Sequence, residues 1–138
     1  MKTTLFILIS LLSSIAYAQS FVPEKYWIED SNFEQKIKGP QKTKDVNKLP
    51  VVVEFWTSFN AHNCFADWDK IKDAVYYRVD LSKAPIAKRK YKIRMTPTII
   101  IFKKGIKKEI FKAGLDLLLP TSLSEVQRVI DEINTASK

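Results

Sequence analysis

With 138 residues the chain has room for one domain with a sizeable core. Its one cysteine, Cys64, excludes an internal disulfide, so stability must come from that core. The formal net charge of +8 invites an acidic partner, but no nucleic-acid-binding motif accompanies it, and nucleic acid is not an expected partner.

Residues 1–18 read as a secretory signal peptide. Lys2 gives the positive start, Leu5 to Ile15 an apolar segment, and Ala16-Tyr17-Ala18 a small-residue cleavage pattern. Cleavage after Ala18 is expected, leaving a single exported domain over 19–138, periplasmic or extracellular. No second long apolar stretch follows, so no transmembrane segment is expected in the mature chain.

Tyr26-Trp27-Ile28 is a short β-prone run. Ser31 with Glu34 has the form of a capping box, which predicts a short helix to about Lys38, ended by Gly39-Pro40. Residues 41–48 read as a polar loop. Val51 to Trp56 is an apolar run, as a strand covered on both faces would be. It empties into the polar loop Thr57 to Cys64. Phe65, Trp68, Ile71 and Val75 then recur at spacings of three and four, which predicts a short helix with one apolar face. Val75 to Val79 is strand-like, and Ser82 to Lys92 is a second short helix with Pro85 near its start.

Thr98 to Phe102 is another buried strand. Lys103-Lys104-Gly105 is a hairpin turn, and Ile106 to Lys112 returns as a lysine-rich edge strand. Ser122 with Glu125 forms a second capping box before a closing helix carrying Leu123, Val126, Ile130 and Ile133 on one face. Much of the positive charge lies between Lys83 and Lys112, where Glu109 is the one acid. Such runs ordinarily face water, and the solvated faces of a helix and an edge strand account for this one. The order β-α-β-α-β-α-β-β-α implies an α/β fold, a central mixed sheet of about five strands with helices on both faces.

This order and two motifs resemble the thioredoxin family. Val53-Glu54-Phe55-Trp56 is similar to the strand before the thioredoxin active site. Lys90 to Gly105, through Met95-Thr96-Pro97-Thr98, resembles without gaps the family's run through its cis-proline into the following hairpin. The likeness spans about Tyr26 to Ile133 and implies a thioredoxin-like fold for the mature chain. It makes Pro97 the cis-proline and Thr96 the residue whose backbone pairs with an extended peptide. It places Glu54 where relatives keep a buried proton-transfer acid, with Tyr76 in place of the usual lysine. The family's Cys-x-x-Cys falls on Asn60-Ala61-His62-Asn63. A one-residue shift puts Cys64 at the second cysteine and Ala61 at the first, so the exposed attacking cysteine is missing either way.

Three residues are candidates for chemistry. Cys64 is either a small hydrophobe packed inside or a thiol activated at a helix start, with His62 as a base. His62 and Cys64 are too few ligands for a metal, and no metal or cofactor is expected. Glu54 is either a proton shuttle or a structural acid hydrogen-bonded in the core. The partner-binding candidates are Phe59, Asn60, Ala61, Thr96, Pro97, Leu115 and Leu117, around one shallow groove beside the Leu117-Leu118-Leu119 run. The expected function is a redox-inactive module, rather than an enzyme, that binds a protein or extended peptide of the cell envelope. The alternative is a single-cysteine thiol–disulfide oxidoreductase using Cys64.

Overall fold

The computed structural model describes residues 21–39 and 49–136. The signal peptide read at 1–18 and the polar loop read at 41–48 lie outside these residues. Five strands form one sheet: β1 (Trp27–Ile28), β2 (Val51–Trp56), β3 (Val75–Asp80), β4 (Thr98–Lys103) and β5 (Ile106–Lys112), in the order β1-β3-β2-β4-β5. β1, β3 and β2 run parallel, with Val51 opposite Val75, while β4 and β5 join antiparallel.

β2 and β4 are central, which explains why their sequences are apolar apart from Glu54, Thr98 and Lys103. Alternation sends Val51, Val53 and Phe55 to one face, together with Ile100 and Phe102. Val52, Ile99 and Ile101 go to the other. The first face is covered by α1 (Phe33–Ile37) and α2 (Pro85–Lys90), through Phe33, Ile37 and Ala87. The second is covered by α3 (Leu123–Ala136), through Val126, Val129 and Ile130, and by Phe65 and Trp68 of the β2–β3 crossover. Helices therefore lie on both faces, and no helix among the described residues is long and apolar enough to cross a membrane.

The β4–β5 hairpin turns at Lys104 and Gly105, both at positive φ (53° and 80°), as a two-residue turn matched to strand twist requires. β5 is an edge strand, and a register irregularity opposite Ile101 and Phe102 further breaks its outer pairing surface.

Three local expectations are corrected. The capping box at Ser31 and Glu34 does not form. Asn32 precedes α1 instead, its Oδ1 accepting the Glu29 N–H (2.9 Å), and Glu34 reaches across to Lys90 (2.6 Å). The helix expected over Ser82 to Lys92 splits at Ala84 into a 3₁₀ turn (Leu81–Lys83) and α2. Ala84 precedes Pro85, and a pre-proline residue is pushed out of helical geometry; its φ/ψ is −136°/58°. The short α2 gains its cap from elsewhere, since the Asp30 carboxylate accepts from the N–H groups of Ile86 (2.8 Å) and Ala87 (2.9 Å).

The third correction bears on the site. The segment after Trp56 holds no α-helix among the described residues. It is two 3₁₀ stretches, Ser58–Asn63 and Ala66–Lys70, kinked at Asn60 and Asp67. Phe65, Trp68 and Ile71 still share one face, because a spacing of three matches three residues per turn. Val75 leaves that face and opens β3. The second capping box is half formed: Ser122 Oγ accepts the Glu125 N–H (3.3 Å), but the Glu125 carboxylate takes the Thr121 hydroxyl instead (3.0 Å).

Candidate functional site

β2 ends at Trp56 and delivers the loop from Thr57 to Cys64 against the turn before β4. The Thr96–Pro97 peptide bond in that turn is cis. The two loops are laced together by side chains. Thr57 Oγ1 lies 2.6 Å from Thr96 Oγ1. Asn60 Nδ2 donates to the Thr96 carbonyl (2.7 Å) and to the Leu117 carbonyl (2.8 Å). Asn63 Nδ2 donates to Asn60 Oδ1 (2.9 Å) and also to the Leu117 carbonyl (3.1 Å). The two asparagines that stand at the ends of Asn60-Ala61-His62-Asn63 thus act as a clamp on three loops.

The clamp alters the partner-binding candidates. Thr96 is 3% exposed, and its carbonyl is already held by Asn60. One of the two lone pairs of that carbonyl is thereby taken. Asn60 is buried (4% exposed) and Pro97 is buried with it. Leu117 is half-buried, with φ at 57° and its carbonyl held by Asn60 and Asn63. Phe59 (70% exposed) and Leu115 (89% exposed) do face solvent, as does Leu118, while Ala61 is half-buried between them in sequence.

Below this clamp sits a buried charge cluster. Glu54 is the acid of β2 and Arg78 stands opposite it in β3. Glu54 Oε1 accepts from Arg78 Nη2 (2.9 Å), from Arg78 Nε (3.2 Å) and from the Tyr76 hydroxyl (2.6 Å). Glu54 Oε2 accepts the Phe65 N–H (2.9 Å), and Arg78 Nη2 reaches the Phe65 carbonyl (3.5 Å). Both carboxylate oxygens are therefore occupied by donors. Burial is the largest single influence and works against the Arg78 charge, but Glu54, Tyr76 and Cys64 together outweigh it and hold the guanidinium pKa above its ordinary value. Burial, followed by the Glu54 charge, raises Tyr76 well above the usual phenol range. This cluster also explains the missing helix. The Phe65 peptide is gripped from both sides, its N–H by Glu54 and its carbonyl by Arg78, so neither group is available for a helical ladder.

Cys64 is buried (8% exposed) and turned toward this cluster. Burial raises its thiol pKa, Arg78 pulls it down by charge and Glu54 pushes it up, with a net rise. A raised pKa means less thiolate, the opposite of activation. His62 is exposed, with its Nε2 3.4 Å from Asn63 Nδ2, and no hydrogen bond joins it to Cys64 among the described residues. Nor, among those residues, do three His, Cys, Asp or Glu side chains gather closely enough to hold a metal ion.

Comparison with known proteins gives the same architecture. The reduced thioredoxin pre-protein of Schistosoma mansoni superposes with a TM-score of 0.57 at 22% identity, covering 77% of this chain and 94% of that one. The fold is thioredoxin-like. A thioredoxin variant from Halobacterium salinarum matches with a TM-score of 0.57 at 12% identity, covering 77% of this chain and 87% of the other. A designed protein matches with a TM-score of 0.54 at 19% identity, covering 81% and 94%. No protein-family model and no curated protein sequence matches the chain.

Within this thioredoxin-like frame, sequence reasoning named Glu54 as a candidate acid and Asn60, Thr96 and Leu117 as partner-binding candidates, but missed Arg78 and the clamp that Asn60 and Asn63 form. Arg78 carried a usable signal. A lone acid in a buried strand needs a buried base, and Arg78 is the basic residue of the strand next to it.

Proposed function

We propose that the protein is an exported, redox-inactive thioredoxin-like module that binds a partner protein of the cell envelope. The carrying observation is the clamp: amide side chains at 60 and 63, in place of sulfurs, bond inward to the Thr96 and Leu117 carbonyls. A buried thiol with a raised pKa supports the same reading, because exchange needs an accessible thiolate. The contact surface in this reading is apolar rather than backbone-led, made by Phe59, Leu115 and Leu118 beside the clamp.

The test has two arms. Mature protein should fail to reduce insulin above background, and iodoacetamide should modify Cys64 only after denaturation. The Phe59→Asp/Leu115→Asp variant should lose a partner that wild-type protein captures from its own cell envelope, with an unchanged melting temperature. The competing reading, a one-cysteine oxidoreductase working through Cys64, predicts rapid alkylation of the native protein and a mixed disulfide lost in Cys64→Ser. Capture unaffected by the double aspartate variant would reject the apolar rim.

A further inference from the structure

A second concavity lies away from the clamp, an open cleft of ≈ 560 Å³. Topology fixes its position. Trp27 of β1, Trp56 at the end of β2 and Asp80 at the end of β3 all line it, so it sits at the carboxyl ends of three parallel strands. Open α/β sheets hold their ligands at that end. Its volume falls in the ordinary range for small-ligand sites, about 300–1,000 Å³.

Its walls combine two chemistries. Trp27 and Trp56 meet edge to face, with ring centroids 5.0 Å apart and planes at 84°. Around them stand the carboxylates of Glu24, Glu29 and Asp80, against the one base Lys83. None of the three acids is in an ion pair among the described residues. Asp80 spends Oδ1 on the N–H and hydroxyl of Ser82 (3.0 and 2.6 Å). In a chain of net charge +8, three acids to one base is a local reversal of sign. A concave site with low-dielectric walls concentrates that negative field.

The arrangement also selects the kind of cation. The acids are dispersed around indole walls and do not meet in a group close enough for a metal ion among the described residues. Indole faces attract soft, weakly hydrated organic cations, tryptophan most strongly. Trp27 already receives one, since the buried Arg78 guanidinium carbon lies 5.7 Å from its ring centroid, approaching from the interior.

We propose that this cleft binds an organic cation, an ammonium or guanidinium group, with Trp27 and Trp56 as the π walls and Glu24, Glu29 and Asp80 as the counter-charge. The site is independent of the clamp and of the partner-binding reading. Trp27, Trp56 and Trp68 are the chain's three tryptophans, and Trp68 packs elsewhere, against Tyr26 and Tyr76, so it serves as an internal control.

The experiment titrates tetramethylammonium and N-acetyl-arginine amide into the purified protein and follows the three indole N–H resonances. Trp27 and Trp56 should shift and saturate while Trp68 stays still. Neopentyl alcohol, whose tert-butyl group is the neutral isostere of a trimethylammonium, should bind about tenfold more weakly or worse. Glu24→Gln/Glu29→Gln should weaken the cation about fivefold or more without moving other resonances, since both side chains lie at the surface. Binding of both cations marks the ligand as a free organic cation. Binding of the arginine derivative alone marks it as a basic side chain of a polypeptide. The proposal is overturned if the neutral isostere binds as tightly, if sodium chloride at equal ionic strength produces the same shifts, or if neither cation moves the two indoles.

Discussion

Glu54 and Arg78 stand opposite each other on neighbouring parallel strands, and 2.9 Å separates Arg78 Nη2 from Glu54 Oε1 with both side chains out of water. Breaking such a pair from one side strands the other charge. Glu54→Leu or Arg78→Met should each destabilise the fold by about 3–5 kcal/mol. The double variant Glu54→Leu/Arg78→Met should recover much of that loss, because the desolvation cost leaves with the pair. Urea denaturation of the three variants checks this; a double variant as unstable as the sum of the singles would contradict it.

Raising pH should weaken the fold. Tyr76 and Cys64 both have folded-state pKa values above their ordinary ones, burial being the main cause in each. The folded chain therefore holds these protons more tightly than the unfolded chain does. Their contribution is complete below the unfolded values, about 8.5 for the thiol and about 10 for the phenol, and drains away as pH climbs through the folded values. Urea midpoints should fall steadily above about pH 9, and Tyr76→Phe should flatten that fall while lowering the midpoint at neutral pH.

Asn60→Ala removes two donors at once, leaving the buried Thr96 carbonyl without its Asn60 bond and releasing one of the two bonds that hold the Leu117 carbonyl. The expected cost is about 1–3 kcal/mol. Asn60→Asp should cost more at neutral pH, because a carboxylate would then face two carbonyl oxygens. Hydrogen exchange should accelerate across residues 114–120 in both variants, whereas β2 and β4 should keep their protection.

Lys104 occupies the first position of a turn whose two residues both lie at positive φ. Asparagine tolerates that conformation better than lysine does. Lys104→Asn should stabilise the protein by up to about 1 kcal/mol, seen as a higher melting temperature. A drop in melting temperature would remove this account of the hairpin.

The sheet was readable because its signals are local. Val51–Trp56 and Thr98–Phe102 are continuous apolar runs, Lys104-Gly105 announces the hairpin, and Val126 and Ile130 repeat at the spacing of a helix. The crossover was not, because Phe65, Trp68 and Ile71 fit a 3₁₀ turn as well as an α-helical face. What decides between them is the grip of Glu54 and Arg78 on Phe65, a contact from two paired strands onto the crossover between them. The Asn60 clamp was hidden for the same reason. Its two acceptors lie 36 and 57 residues away, and nothing in the sequence around Asn60 names them. Arg78 could be suspected as the base that Glu54 needs, but the register of β2 on β3 is what sets the two opposite each other.

The 3₁₀ crossover sets a limit on what can be engineered into this scaffold. Asn60→Cys/Asn63→Cys would supply two sulfurs, yet no long row of aligned peptide groups begins beneath them to draw out a proton. Such a variant would make a bond between neighbours and remain a poor electron carrier. For turnover, the grip on Phe65 would first have to be dismantled.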